Sequence, residues 1–398
     1  VKLRILAPPA AALMILAAAV ACSDEAAMSR FAGTDDAGAA NDGGFGAQTD
    51  AAVGTASGVV VLHAAAFPPF RLCFEGYPEL APQPDTALMP EANVVGVEVG
   101  SAIRISPLPK PPGKVYVIDQ REIRATPRDP LDRKCGALIG DPDFALDRKY
   151  QVAGEITTPL GVGHVDVLAI TGCAGKAWLT ELGLSSEGCT DWDQTSGSLR
   201  ARTVELLPTV QATGRSLPVQ IVHMSPLLDA KLAPGERVDV SFGALAESGS
   251  MDQHIEVPAL FEAGAPAMLT LDQNTESVFG SHGFRISLRS TGEVDAGDRG
   301  QIDAAATFVV EQSLAQVQEL SFSQTVPTAY YLAASNYALL LLGDPGVLRT
   351  YVDGGVNPFF DPRRAVHLLA VPVKAEVDAG SDPSAGLDAS VTAAPDGG

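Results

Sequence analysis

The chain has 398 residues, 46% of them hydrophobic and 19% charged, with a formal net charge of −21. That length fits two domains of ordinary size, and the apolar content is enough for packed cores. So acidic a surface repels phosphate backbones, which sets nucleic acid aside as a partner and favours solubility and loose association with divalent cations.

The first predicted element is a leader. Lys2 and Arg4 precede an apolar run from Ile5 to Val20, interrupted by Pro8 and Pro9, and Ala19-Val20-Ala21-Cys22 closes it. This is the pattern of a secretory signal peptide over 1–22, and the run falls short of the roughly 20 residues a spanning helix needs. Cys22 behind small residues resembles the lipobox of bacterial lipoproteins, although that motif usually carries Leu where Ala19 stands. The resemblance implies that the Cys22 thiol takes a diacylglycerol, becomes the mature N-terminus and anchors the protein to a membrane, with the outer membrane or cell surface as the expected location. Ala19 and Ala21 also suit ordinary signal peptidase, which would leave a secreted protein. Without Lys2 and Arg4 the mature chain has 27 − 2 = 25 basic residues against 48 acidic ones, a net of −23.

Residues 23–57 are Ala, Gly and Asp among almost no bulky apolar groups, and 375–398 have the same character. Neither stretch can bury enough surface to offset its ordering entropy, so both are expected to be disordered acidic segments, the first a tether. Asp35, Asp36 and Asp42 lack the spacing of a calcium loop and read as solvated linker.

Beyond Cys22, Cys73, Cys135, Cys173 and Cys189 remain, an even number in an exported chain, and two disulfides are expected. Three pairings are possible; loop length favours Cys173 with Cys189 (189 − 173 = 16), leaving Cys73 with Cys135. No C-x-x-C pairs suggest zinc instead.

Between Gly58 and Val373 the apolar residues come in short β-branched runs separated by Pro and Gly, such as Gly58 to His63, Val115 to Ile118 and Val165 to Ile170. Their length and spacing predict an all-β sandwich architecture. Only Lys176 to Leu182 and Ser313 to Leu320 read as helical, the latter with Ser313 as a cap.

The second half repeats the first. Val60 to His63 returns as Ile221 to His223, and Phe70 to Gly76 as Val238 to Ala244. Gly100 to Ser106 is matched with Gly283 to Ser287, Val117 to Gln120 with Val309 to Gln312, and Arg202 to Leu207 with Arg364 to Leu369. The order is kept while the offset drifts, as insertions in two copies of one fold would produce. Two tandem sandwiches follow, 58–212 and 213–374. All four paired cysteines fall in the first, so the second is expected to stand on its core alone, with Tyr337 to Leu342 as its central buried strand.

At these strands the chain resembles a family of secreted bacterial proteins built on tandem copies of the domain of unknown function 4397, whose repeats open on a V-x-V-V-H-A-S-P strand followed by V-D-V-Y-V-D-G. Val219-Gln220-Ile221-Val222-His223-Met224-Ser225-Pro226 and Val238-Asp239-Val240 carry the likeness, more faintly Val59 to Ala65 and Leu72 to Gly76. The acidic tethers beside a lipobox-like Cys resemble cell-surface lipoproteins of myxobacteria. The resemblance implies immunoglobulin-like or transthyretin-like β-sandwiches and no established activity.

The candidate chemistry is thin. His63 and His223 recur at equivalent positions, but one His per domain is too few for a metal site, and an imidazole pinning its strand to a loop explains the recurrence. The other histidines lack ligand spacing, and Gly280-Ser281-His282-Gly283 reads as a turn rather than a nucleophile and its base. Asp191-Trp192-Asp193 and Asp141-Pro142-Asp143 are the local carboxylate pairs, for which turn and cap roles are favoured over glycoside hydrolysis. Trp178 and Trp192, in and just beyond the Cys173 to Cys189 loop, are the proposed ligand-facing surface; the competing role is cover for the sandwich edge. No cofactor or metal is expected. Two functional readings result: a non-enzymatic envelope lipoprotein binding glycan or protein, or a secreted glycan-directed enzyme with carboxylates from separate loops. Calcium-dependent folding is a weaker third, and the sequence leaves the oligomeric state open.

Overall fold

The computed structural model describes residues 57–83, 96–121, 133–142, 150–182, 189, 191–207, 216–232, 234–245, 251, 253–271, 278–290, 309–318, 335–347 and 360–374. Residues 1–56, which include the expected leader, Cys22 and the expected tether, and the tail from 375 lie outside the described residues.

The first half contains β1 (Gly58–Ala66), β2 (Phe70–Phe74), β3 (Ala102–Ile105), β4 (Gly113–Asp119), α1 (Cys135–Ile139), β5 (Tyr150–Ile156), β6 (Val165–Cys173), α2 (Lys176–Leu182) and β7 (Arg200–Leu206). The second contains β8 (Ser216–His223), α3 (Pro226–Asp229), β9 (Glu236–Ala244), β10 (Gln253–Ile255), β11 (Ala267–Thr270), β12 (His282–Ser290), β13 (Val309–Ser313), β14 (Ser335–Leu342) and β15 (His367–Lys374). The fold is all-β, in two sandwiches. The first pairs a sheet of order β3-β1-β6-β7 with one of order β2-β4-β5; the second pairs β11-β8-β14-β15 with β10-β9-β12-β13.

The two halves share their pairing. β1 lies antiparallel to β3 and parallel to β6, which is antiparallel to β7. β8 does the same with β11, β14 and β15. In the other sheets β2-β4-β5 corresponds to β9-β12-β13, with β10 an addition at the edge. This corrects two of the sequence matches. Gly100 to Ser106, on β3, answers to β11 and not to Gly283 to Ser287 on β12; Val117 to Gln120, on β4, answers to β12 and not to Val309 to Gln312 on β13. Alternating Val and Ile fit any strand of a half-buried sheet, so a one-strand slip costs nothing in sequence terms, and hydrogen-bond pairing alone decides it.

Each sandwich has its own core. Val59, Val61, Leu168 and Ile170 face Phe70, Leu72, Phe74, Val115 and Val117 in the first. Ile221, Tyr337, Leu339 and Leu341 face Val240, Phe242, Phe284 and Ile286 in the second. A third apolar layer lies between the sandwiches: Val60, Leu62, Val167, Ala169, Val204 and Leu206 pack with Val222, Ala338, Leu340, Leu342, Leu369 and Val371. The four sheets therefore stack, with β3-β1-β6-β7 and β11-β8-β14-β15 inside. Their central strands bury both faces, which is why Val59 to Leu62 and Tyr337 to Leu342 are apolar without alternation. The expectation that the second sandwich stands on its own core alone is corrected, since half of each inner strand rests on the neighbouring sandwich.

Polar groups tie this seam. The Gln220 amide donates to Leu207 O at 2.8 Å and accepts from Leu207 N at 3.2 Å, satisfying a buried side chain and the backbone at the end of β7. Arg202 lies over the Phe261 ring, 5.6 Å from its centroid. Phe261 holds φ +64°, a left-handed conformation costly for a bulky residue.

The disulfides pair Cys73 with Cys135 and Cys173 with Cys189, as loop length favoured, with Cα separations of 5.4 and 5.9 Å. The first ties α1 over the outward face of β2-β4-β5, where Leu138 and Ile139 pack on Ile118, Tyr116 and Tyr150. Lys176–Leu182 is helical as expected. Ser313 is not a helix cap: it ends β13, and Leu314–Gln316 form a turn closed by Gln316 N to Ser313 O at 2.8 Å, because Ser313 is drawn into pairing with Gly283.

Candidate functional site

The braced loop of the first sandwich is built on β6, whose last residue, Cys173, bonds Cys189. α2 starts three residues later and turns Trp178 inward, 3% exposed, with its ring 5.3 Å from that of Phe67. Trp178 is thus a core residue and is removed from the proposed ligand surface: an indole buries too much apolar area to be left in water when a sandwich end needs closing. Trp192 is half-buried on the same core, and its Nε1 donates to Ala174 O at 2.9 Å. Beside it Asp193 Oδ1 accepts from Ser196 N at 2.7 Å, Ser196 Oγ at 3.0 Å and Thr195 N at 2.8 Å. These bonds, those from Ser196 first, hold the Asp193 carboxyl below the usual range. Asp193 is a turn-forming residue, and Asp191, at φ +54°, stands in the same turn. Asp141 pairs with Arg133 at 2.8 Å, and Asp143 lies outside the described residues.

His63 is fully buried, with Nε2 3.1 Å from both Phe67 O and Pro68 O, so its ring fastens β1 to the following loop. Burial pushes its pKa down to about 4 against the pull of those carbonyls. His223 is equally enclosed. Burial holds its pKa below the ordinary value, outweighing the pull of the Asp229 carboxylate and of the Pro258 and Ser225 carbonyls. Its Nε2 makes no hydrogen bond of good geometry, so the loop-pinning role seen at His63 is only partly repeated. Ser281 Oγ is 3.2 Å from His282 Nδ1 in an exposed turn. Among the described residues no three His, Cys, Asp or Glu side chains are grouped so as to hold a metal ion.

One arrangement that single-strand reading misses runs across β10-β9-β12-β13. The pairing places His254 opposite Ser241, Ser241 opposite Arg285 and Arg285 opposite Glu311, a four-strand row on the face turned away from the core. Arg285 donates to Glu311 Oε1 through Nε at 2.8 Å and Nη2 at 2.6 Å. Asp239, one pleat along, lies 3.5 Å from His254 Nδ1 and faces Ser287 across the pair. Only the ends of this row are accessible: the side chains of His254 and Glu311 are 49% and 38% exposed, whereas Arg285 is 17% exposed and Ser241, Asp239 and Ser287 are buried. Donors and acceptors at cross-strand spacing on a flat face suit an extended polar ligand better than a small one. The sequence signal was there, in the alternation of Val238-Asp239-Val240-Ser241-Phe242 and Phe284-Arg285-Ile286-Ser287-Leu288.

Among the described residues, carboxylates far apart in the chain converge where Glu98 of the first sandwich and Asp361 of the second meet on Arg363, as Asp119 and Glu181 do on Arg121. Each guanidinium fills the space between its two carboxylates, leaving ion pairs rather than an acid and a base. Compared with protein-family models, curated proteins and solved structures, the chain matches none.

Proposed function

We propose that this chain is a non-enzymatic binding module of the cell envelope, exported behind residues 1–22 and held to a membrane through a diacylated Cys22. Its ligand-facing surface is the exposed His254 and Glu311 at the ends of the row in the second sandwich, with Arg285 positioning Glu311, and the partner class is an envelope glycan or protein. Two disulfides in the first sandwich support an oxidising, extracytoplasmic setting. The shared pairing of the two halves supports the likeness to tandem 4397-type repeats.

The observation that carries the binding reading is how the polar groups are used. The enclosed His63 and His367 serve backbone positions and Asp166 serves Gly161 N and the His164 ring, while the accessible His254 and Glu311 stand at the ends of a line along a sheet face, with the largely buried Arg285 between them, instead of converging on a reacting atom. The test has two parts. Intact mass of the mature N-terminus from native cells should show a diacylated Cys22; a mass ending in an unmodified residue removes the anchor. Retention on purified envelope polysaccharide and peptidoglycan and on envelope extracts should fall for a double variant Arg285→Ala with Glu311→Ala. Retention equal to the parent chain removes this surface.

A further inference from the structure

Position by position, the two copies treat one sheet edge differently. In the second sandwich the edge of β15 is closed by the chain itself. Leu368 N donates to Gln312 Oε1 at 2.8 Å, Gln318 N to Leu368 O at 3.3 Å and Ala370 N to Gln318 O at 2.7 Å. Gln318 thus lies parallel to β15, opposite Leu369, and Leu368 and Ala370 are fully buried.

Strand pairing gives the counterparts in the first sandwich. His63 lies opposite Ile170 and Ile170 opposite Ala201, as His223 lies opposite Leu341 and Leu341 opposite Leu368. Ala201 therefore answers to Leu368, and Thr203 to Ala370. Gln312 is reached from Phe242 through Phe284; the same steps from Phe74 lead through Val115 to Gly154. The residue that caps the β15 edge is here one without a side chain, and a Cβ placed on Gly154 would meet no atom within 4 Å. After β5 the chain also runs elsewhere, since Leu160 exchanges backbone bonds of 2.8 and 3.0 Å with Leu108.

The edge of β7 is left open. Ser198 N donates to Cys173 O at 2.8 Å, so the even-numbered residues of this strand bond β6, and the N–H and C=O of Ala201, Thr203 and Glu205 turn outward. Among the described residues nothing bonds these outward groups, the neighbouring β5 included. Ala201 is half-buried, while Thr203 and Glu205 are exposed. Their side chains share one face, and the Glu205 carboxylate has no ion-pair partner among the described residues.

We propose that the β7 edge is a docking site for an extended segment of a partner polypeptide, added as a strand where Gln318 lies beside β15. One guest residue, opposite Arg202, donates its N–H to Ala201 O and accepts from Thr203 N. A further guest acceptor takes Ala201 N, as Gln312 takes Leu368 N. In a parallel guest the residue three places on (205 − 202 = 3) stands beside Glu205, and a basic side chain fits there. Polypeptide is the class because alternating N–H and C=O along an extended chain match a strand edge, and because the equivalent edge already holds one. The site is separate from the row on the second sandwich and from the anchor, and it stands or falls without them.

Amide exchange of the full chain with a soluble, lysine-bearing peptide of alternating threonine and valine tests it. Saturating peptide should slow the Ala201 and Thr203 amides by at least about tenfold, while those of 284–288 and 368–370 keep their rates. The same peptide N-methylated throughout should give no protection. Thr203→Pro removes an N–H that the fold does not use and should abolish the protection of Ala201 with the circular dichroism of the parent chain retained. Glu205→Lys should weaken the peptide by up to about fivefold, and an unchanged affinity overturns the charge match. No protection, equal protection from the N-methylated peptide, or protection that survives Thr203→Pro overturns the site. Protection of 200–206 in the free chain overturns the foreign guest: lost on dilution, it means a second copy on this edge, and kept on dilution, a segment of this chain. Should Thr203→Pro not fold, the contrast between the two peptides decides.

Discussion

The outer sheets of the two sandwiches share the order of three strands, with a register shift at Val115/Tyr116 in the first, but have opposite exteriors. On β2-β4-β5 the outward positions are Arg71, Cys73, Tyr116, Ile118 and Tyr150, and α1 closes over them through the Cys73–Cys135 bond. On β9-β12-β13 the topologically equivalent positions are Asp239, Ser241, Arg285 and Ser287, with Glu311 beyond. Ser241 stands where Cys73 stands. One copy has thus turned its outward face into a second small core, and the other carries an ionic row. An apolar exterior must be covered or it invites association, whereas the polar one keeps Asp239, Ser241 and Ser287 buried beneath Arg285 and leaves His254 and Glu311 exposed at its ends.

The largest expected effect comes from opening the sealed face. Replacing Cys73 and Cys135 by Ser removes a 62-residue closure, worth about 4 kcal/mol by the chain-entropy model. Calorimetry should show the largest loss in the first sandwich's transition, with new dye-binding apolar surface; an unchanged first transition would mean that the bond does not hold α1 over its sheet. Next is the shared layer. Leu340→Ala should cost about 3 kcal/mol and lower the stability of both sandwiches together, since its side chain packs across the seam. A loss restricted to the second sandwich in denaturant titrations followed by Trp178 and Trp192 fluorescence would refute that coupling.

Acid should act on the first sandwich through His63. Its folded pKa, about 4, lies below the unfolded 6.5, so the unfolded chain binds more protons between these values. Stability is full above pH 6.5 and falls as the pH drops towards 4, by up to about 3 kcal/mol. Urea midpoints across that window check the sign, and a midpoint rising in acid would contradict it. The smallest stability effect belongs to the row's exposed end: Glu311→Ala should change the unfolding free energy by less than about 1 kcal/mol, because Glu311 is 38% exposed where it pairs with Arg285. A loss of several kcal/mol would make the row structural and weaken its claim as a binding surface.

Much of the fold was legible in the chain. Val59 to Leu62, Val165 to Ile170 and Tyr337 to Leu342 are long enough and apolar enough to be buried strands, and the spacing of four cysteines favoured the observed bonds. The site was harder. Trp178 looked available because it lies on a short braced loop, yet which way a seven-residue helix turns an indole depends on the end of the sandwich it covers. Ser313 looked like a cap because the residues after it are good helix formers, and strand pairing with β12 overrode that local preference.

Residue order by itself determined the β class, pointed to a repeat and favoured the observed cross-links among three possible pairings, because strand length, alternation and loop closure are local or nearly one-dimensional quantities. Tertiary structure decided which strands correspond between the copies, that a third apolar layer joins them, and that Ser241, His254, Arg285 and Glu311 form one row. Those are contacts between residues far apart in the chain, and only the register of neighbouring strands brings them side by side.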